Sequence, residues 1–186
     1  MTTLDALATA RTTVEDEANG MQITALSDVD KAWVRERTEL LFSGAFLVSR
    51  DLVHDPTQLP GFIAVQDGER VGLATYHIAG DACEIVSLDA LCQYMGIGSE
   101  LLLAVEAVAR AEGCTRLWAI TTNDNIDALR FFQRRGFTIT DFRLDGMAKI
   151  RMLKPNIPLV GAHGIPIRDE IELAKPLDPG KGWRVV

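Results

Sequence analysis

Gly96 and Gly98 alternate in the run Gln93-Tyr94-Met95-Gly96-Ile97-Gly98, between a strand-like stretch from Glu84 to Leu91 and an apolar helical stretch from Ser99. A strand feeding a glycine turn feeding a helix aims backbone N–H groups at one small volume. The first helical turn has orphan donors and the positive end of the helix dipole, so that volume suits phosphate oxygens. Neither glycine carries a Cβ, which lets a ligand approach the main chain. Other reactive side chains are sparse. Cys83, Cys92 and Cys114 are odd in number and lack CxxC spacing. They read as reduced thiols, not as a disulfide framework or a zinc site. His54, His77 and His163 include no metal-ligand pair, and no metal is expected.

The elements that must position this turn can be read along the chain. With 186 residues there is enough sequence for one domain with a sizeable core. Apolar content of 47% and charged content of 24% are ordinary for a soluble globular protein. A net charge of −7 with no dense Lys/Arg run argues against a nucleic-acid partner, and it is compatible with a cationic, amine-bearing substrate. The N-terminus has no basic region followed by an apolar core, and no apolar run reaches membrane-spanning length. A cytoplasmic location with no membrane partner is therefore expected.

Residues 1–20 read as a tail or loose helix, 21–175 as the folded domain and 176–186 as a C-terminal tail. Met21 to Leu26 predicts a strand, and Ser27-Asp28 cap a helix running to about Phe42 and ended by Gly44. An irregular extended segment follows from Phe46 to Pro60. Phe62–Val65 and Val71–Ile78 flank an Asp67-Gly68 turn, and Cys83–Leu91 follows the Gly80-Asp81 turn, so three antiparallel neighbours are expected. Leu101, Leu102, Val105, Val108 and Ala109 make a helical stripe with Glu106 off it, and Gly113 ends the helix. Arg116–Ile120 is a buried strand that can lie parallel to the one before Gln93. A polar loop over Thr121–Asn125, a helix over Ile126–Arg135 and a strand over Phe137–Phe142 come next. A short helix over Met147–Leu153 and a last strand over Ile165–Leu173 complete the reading.

Two motifs in this order resemble the GNAT superfamily, the Gcn5-related N-acyltransferases. Gln93-x-x-Gly96-x-Gly98 is similar to the superfamily's (Arg/Gln)-x-x-Gly-x-(Gly/Ala) loop. Asn125-x-x-Ala128-x-x-Phe131-Phe132-x-x-x-Gly136-Phe137 resembles its Asn-x-x-Ala…Tyr-x-x-x-Gly-Phe segment. The resemblance spans roughly residues 21–173. It implies an α/β (α+β) fold: a central, mixed, mostly antiparallel sheet with a splayed parallel strand pair, flanked by helices. It also implies acetyl-CoA as co-substrate. The pantetheine amides would pair with the main chain of Leu88 and Ala90. The pyrophosphate would sit on the amides of Gln93, Tyr94, Met95, Gly96, Ile97, Gly98 and Ser99. Asn125, Ala128, Phe131 and Phe132 would border the cofactor. Two residues depart from the pattern. Tyr94 stands where glycine is frequent. Phe132 stands where many relatives carry a tyrosine that protonates the leaving thiolate, a role phenylalanine cannot take. It is expected instead to pack at the thioester end, the alternative being a plain core residue. Since a thiol has a pKa of roughly 8.5, thiolate is still a tolerable leaving group.

The implied activity is direct acetyl transfer to a primary amine of a small molecule or peptide, by a monomer or homodimer. The alternatives are a non-catalytic acyl-CoA-binding or sensing protein, and an acyltransferase using another acyl chain or a hydroxyl acceptor. An amine must lose a proton before it attacks, and Glu84 is the candidate base. Strand alternation puts Glu84, Val86, Leu88 and Ala90 on one face, which is the face of the expected cofactor contacts. The histone-acetylating branch of the superfamily has its base in a similar Glu-Ile-Val context. Asp81 and Asp89 read as solvated turn or edge residues. His54 reads as exposed or locally hydrogen-bonded, and Cys83 and Cys92 as packing.

Overall fold

The computed structural model describes residues 14–16, 20–50, 52–92 and 95–178. Gln93 and Tyr94 therefore lie outside the described residues, as do 1–13 and 179–186. Among the described residues, ten strands and four α-helices occur in the order β1 (Val14–Asp16), β2 (Met21–Ala25), α1 (Lys31–Phe42), β3 (Leu47–Ser49), β4 (Leu52–His54), β5 (Gly61–Gln66), β6 (Glu69–Ala79), β7 (Ala82–Ala90), α2 (Ile97–Ala111), β8 (Arg116–Thr122), α3 (Ile126–Gln133), β9 (Thr138–Arg143), α4 (Gly146–Leu153) and β10 (Glu170–Pro176). Eight strands form one sheet in the order β1-β2-β5-β6-β7-β8-β10-β9. Its neighbours are antiparallel except β7 and β8, which run parallel. This is the mixed, mostly antiparallel sheet expected, flanked by helices. No helix among the described residues is long and apolar enough to cross a membrane.

Helix α2 lies on one sheet face. Its stripe of Ile97, Leu101, Leu102, Val105 and Ala109 is buried against Ala74, Cys83, Ile85 and Leu117. Each fully buried Leu or Ile contributes about 1.5–3 kcal/mol. Glu106 is not off this stripe. It is buried and held by Arg110 at 2.5 Å and Lys175 at 2.7 Å, so its charge stays paired. Helix α1 covers the opposite face, where Val34 packs on Ile63 and Leu73. Asp30 fixes its start: Oδ2 accepts from the Ser27 amide and hydroxyl, and Oδ1 accepts from Arg70 of β6.

Several elements differ from the sequence expectation. Val14–Asp16, inside the stretch read as a tail or loose helix, is a strand paired with β2. Ser43, with φ +56°, ends α1 where Gly44 was expected. The segment read as irregular contains the β3–β4 hairpin. The last strand starts later than expected and runs through Pro176, and Leu177 is buried in the core, so the fold extends past 175.

The irregularity that matters most is in β7. Thr75 of β6 pairs with Ser87 and Tyr76 with Ile85, which leaves Val86 as an extra residue, a β-bulge. The parallel ladder from β7 to β8 runs from Ala82–Arg116 to Ile85–Ala119 and stops there. Strand β8 remains paired with β10 along its whole length. Beyond the bulge, β7 and β8 therefore diverge, which is the expected splay. A bulge also shifts the side-chain alternation by one residue. Leu88 and Ala90 join the face of Cys83 and Ile85, while Glu84 faces the α1 side with His77 of β6. The expectation that Glu84, Leu88 and Ala90 share a face is thus corrected: simple alternation fails across an inserted residue.

Gly72 lets α2 sit this close to the sheet. A Cβ there would lie 2.6 Å from Ile97 Cγ2 and 2.9 Å from Leu101 Cδ1. Gly72→Val should destabilise the protein by about 1–3 kcal/mol by pushing α2 outward. Denaturant unfolding that gives wild-type stability would show that α2 does not depend on this close approach.

Candidate active site

At the start of α2, Gly96 takes φ +84°, the left-handed region that glycine enters without strain. Its carbonyl accepts from Ser99 at 2.8 Å and Glu100 at 3.1 Å, which closes the first turn. The amides of Ile97 and Gly98 precede any intrahelical acceptor and have no backbone acceptor among the described residues. The helix begins at Ile97, two residues earlier than read from the sequence.

Helix α3 lies beside this turn. Asn125 caps it, its Oδ1 accepting from the Ala128 amide at 3.1 Å. Phe131 covers Gly98, where a Cβ would lie 3.1 Å from the ring. Arg135 stacks on Phe131, 3.7 Å from its centroid, and donates to the Phe131 carbonyl at 3.0 Å and to Ser99 Oγ. Between β7, α2 and α3 opens a cavity of about 860 Å³. Leu88, Ala90, Gly96, Ile97, Gly98 and Ser99 line it, as do Asn125, Ala128, Phe131 and Phe132, so ten expected cofactor-side residues come together. Met95 is exposed at its edge in sequence and is not among the lining residues. Gln93 and Tyr94 lie outside the described residues.

The main chain of β7 faces this cavity in the way the splay requires. Leu91 N donates to Val71 O of β6 at 2.9 Å. By antiparallel alternation, the groups of Leu88 and Ala90 point away from β6, toward the gap left by β8. Arg130, Arg134 and Arg135 also line the cavity, a cationic wall that the sequence reading missed. The Gln-Arg-Arg-Gly run ahead of Phe137 was the available signal. Phe132 is both cavity wall and core, packed edge-on against Phe131 at 5.3 Å and against Phe137 at 5.0 Å. Cys92 lines the cavity and is exposed, so it is not a packing residue. Cys83 is buried, and burial pushes its thiol up to about 12, which makes it inert.

A second cavity, of about 440 Å³, shares Leu41, Phe42 and Asn125 with the first. Its walls are largely apolar, with Leu47, Ile120, Met147, Ile150 and Ile167, and it contains Glu84, Ser49, Asp124 and Glu170. Lys154 anchors one side, with Nζ donating to the Phe42 and Phe46 carbonyls, so α1 is tied to the end of α4.

Glu84 is 2% exposed. Burial raises its carboxyl above the usual range; the nearby Ser49 hydroxyl and Arg50 oppose that shift, and Glu172 adds to it. Arg50 and Arg116 hold Glu172, and Arg50 lies 4.4 Å above the Trp118 ring. Asp89 is taken up by Arg37 at 2.6 Å, and the exposed Asp81 by Thr115 at 2.9 Å. Glu84 is therefore the carboxylate of β7 that faces the second cavity. His54, read as exposed or locally bonded, is buried, with Nε2 3.6 Å from Glu84 Oε2. The missed β3–β4 hairpin brings it there.

Comparison with other proteins agrees with this architecture. The IAA acetyltransferase from Bacillus cereus ATCC 14579 superposes with a TM-score of 0.68 at 22% identity, over 84% of this chain and 99% of that one. A GNAT family acetyltransferase from Elizabethkingia anophelis, solved with acetyl-CoA bound, gives 0.64 at 20% identity, over 87% and 99%. YdhI of Bacillus subtilis (strain 168) is 46% identical over 122 residues, which are 65% of this chain and 76% of YdhI. The sequence model of the acetyltransferase (GNAT) family matches residues 26–137. By that match and by its identity to YdhI, this chain belongs to the acetyltransferase (GNAT) family.

Proposed function

We propose that this chain is an acetyl-CoA-dependent N-acetyltransferase that acts on a primary amine of a small molecule or peptide by direct transfer. The observation that carries this reading is the meeting of two chemically different cavities at Leu41, Phe42 and Asn125. One has helix-start amides, open β7 main chain and three arginines. The other has a buried carboxylate in an apolar surround. The first fits a phosphorylated, amide-bearing cofactor, and the second fits an ammonium group on an apolar body.

When bound, acetyl-CoA supplies an activated thioester. The chain's own groups do the rest. Ile97 and Gly98 offer amides to phosphate oxygens at the positive end of α2. Arg130, Arg134 and Arg135 add charge-assisted donors. Leu88 and Ala90 offer main-chain pairing to amides of the pantetheine arm. Glu84 accepts the acceptor's ammonium proton, and its raised pKa brings it closer to the amine it must deprotonate. Phe132 supplies no proton, so departure of the thiolate relies on its own modest basicity.

That absence favours a second reading, a protein that binds acyl-CoA without turning it over. Turnover of acetyl-CoA across a panel of amines separates the two, since binding without turnover would support the second.

Gly98→Asp adds a side chain against Phe131 and a negative charge beside the phosphate-binding amides. Acetyl-CoA affinity should fall by about tenfold or more, a loss of about 1.4 kcal/mol. Unchanged affinity in calorimetry on a folded variant would remove the site from this loop. Glu84→Gln should lower kcat/KM by at least about tenfold near neutral pH. The deficit should shrink as pH rises and more amine is already neutral, while acetyl-CoA affinity stays constant. Wild-type kcat/KM from about pH 6 to about pH 9 would show that Glu84 is not the base.

A further inference from the structure

A buried base must pass its proton on before the next turnover. Glu84 Oε2 and His54 Nε2 face each other at 3.6 Å. Both atoms are sealed from solvent, and neither has a hydrogen-bond partner among the described residues. One proton placed between them, with a small turn of either side chain, would satisfy both. His54 also packs against His77, with ring centroids 5.2 Å apart and planes inclined at 55°. His77 is directly across the ladder from Glu84 and is partly open to solvent. The three side chains lead from the wall of the acceptor cavity toward the surface on the α1 side of the sheet.

From this geometry we propose that His54 and His77 form the route by which the acceptor's proton leaves Glu84. The proposal rests on Glu84 serving as the base. The acceptor ammonium gives one proton to the Glu84 carboxylate, which leaves a neutral amine and a carboxylic acid. Glu84 hands that proton to the bare ring nitrogen of His54. His54 passes one proton to His77, and His77 releases one to water. Glu84 returns to carboxylate and both imidazoles return to neutral with their protons on the opposite nitrogens; a flip of each ring restores the starting tautomers, so the net change is one proton moved from ammonium to solvent. His54 and His77 are positioning residues acting through Glu84.

The surroundings favour this exchange. Burial, and then the neighbouring His77, hold His54 below its ordinary value, while burial raises Glu84. The two shifts narrow the gap between donor and acceptor, which favours fast transfer in either direction. The other groups acting on Glu84 are Ser49 on the β3–β4 hairpin, Arg50 beside it and Glu172 on β10. Glu172 is engaged by Arg50, Arg116 and Thr140, so it does not compete for the proton.

His54→Phe keeps a ring and removes both nitrogens. Its kcat should fall about tenfold or more near neutral pH, with the loss shrinking at high pH and KM for acetyl-CoA unchanged. His77→Phe should fall less and recover when imidazole is added as buffer, because it stands at the solvent end. The double variant Glu84→Gln/His54→Phe should be no slower than Glu84→Gln alone. A wild-type pH profile for His54→Phe, or a loss equal at every pH, would overturn the route. Should His54→Phe fail a thermal melt, His77→Phe decides: recovery with imidazole supports the route, and wild-type behaviour or failure to recover overturns it. A full-rate Glu84→Gln would remove base and route together. A slow Glu84→Gln beside a full-rate His54→Phe would remove the route alone.

Discussion

The backbone of β7 gains one residue at Val86, and the site depends on that insertion. Up to Ile85 the strand has partners on both edges. Past the bulge it keeps β6 and loses β8, because β8 remains paired with β10. Main-chain groups left without partners cost about 1–3 kcal/mol each when dry, so this edge must face water or a ligand. The same insertion rotates the side-chain pattern. Glu84 ends up on the α1 side of the sheet and Leu88 and Ala90 on the α2 side. One extra residue thus leaves an open strand edge beyond Ile85 and separates Glu84 from Leu88 and Ala90, which lie on the other face.

Electrostatics divides the two cavities. The α2–α3 side gathers a helix start and three arginines, with Arg135 fixed by Phe131 and Ser99, against two carboxylates, Asp127 and an Asp89 held by Arg37. The β3–α4 side gathers Glu84, Asp124 and Glu170 among aliphatic residues. Its lysine, Lys154, is committed to two carbonyls at the end of α1 and adds no open cation to the cavity. A polyanion and a cation would therefore be drawn to different doors of one passage, whose shared wall is Leu41, Phe42 and Asn125.

Much of this frame was legible in the chain. The hairpin around Asp67-Gly68, most of the α2 stripe and the parallel crossover to β8 follow from turn residues and periodicity and are present, although Val108 lies outside the core and Glu106 inside it. The glycine turn and the Asn125 cap, read separately from the sequence, line one cavity. The bulge was not legible, because Val86 is an ordinary strand residue and the extra count shows only in the register with β6. The β3–β4 hairpin was hidden for a similar reason: its strands have three residues each, too few to show alternation. Missing that hairpin hid His54, and expecting alternation to hold gave Glu84 the wrong face. Arg130, Arg134 and Arg135 were visible as residues, but only the packing of α3 beside α2 turns them into a wall.

The central claim is that the opened edge of β7 and the first turn of α2 together receive acetyl-CoA. Amide hydrogen exchange, measured residue by residue with and without acetyl-CoA, tests it most directly. The account predicts that saturating acetyl-CoA slows exchange at Leu88, Ala90, Ile97 and Gly98 and leaves the distant edge strand β9 unchanged. Binding that leaves those four amides exchanging at their free rates, or that protects a different surface, would contradict it.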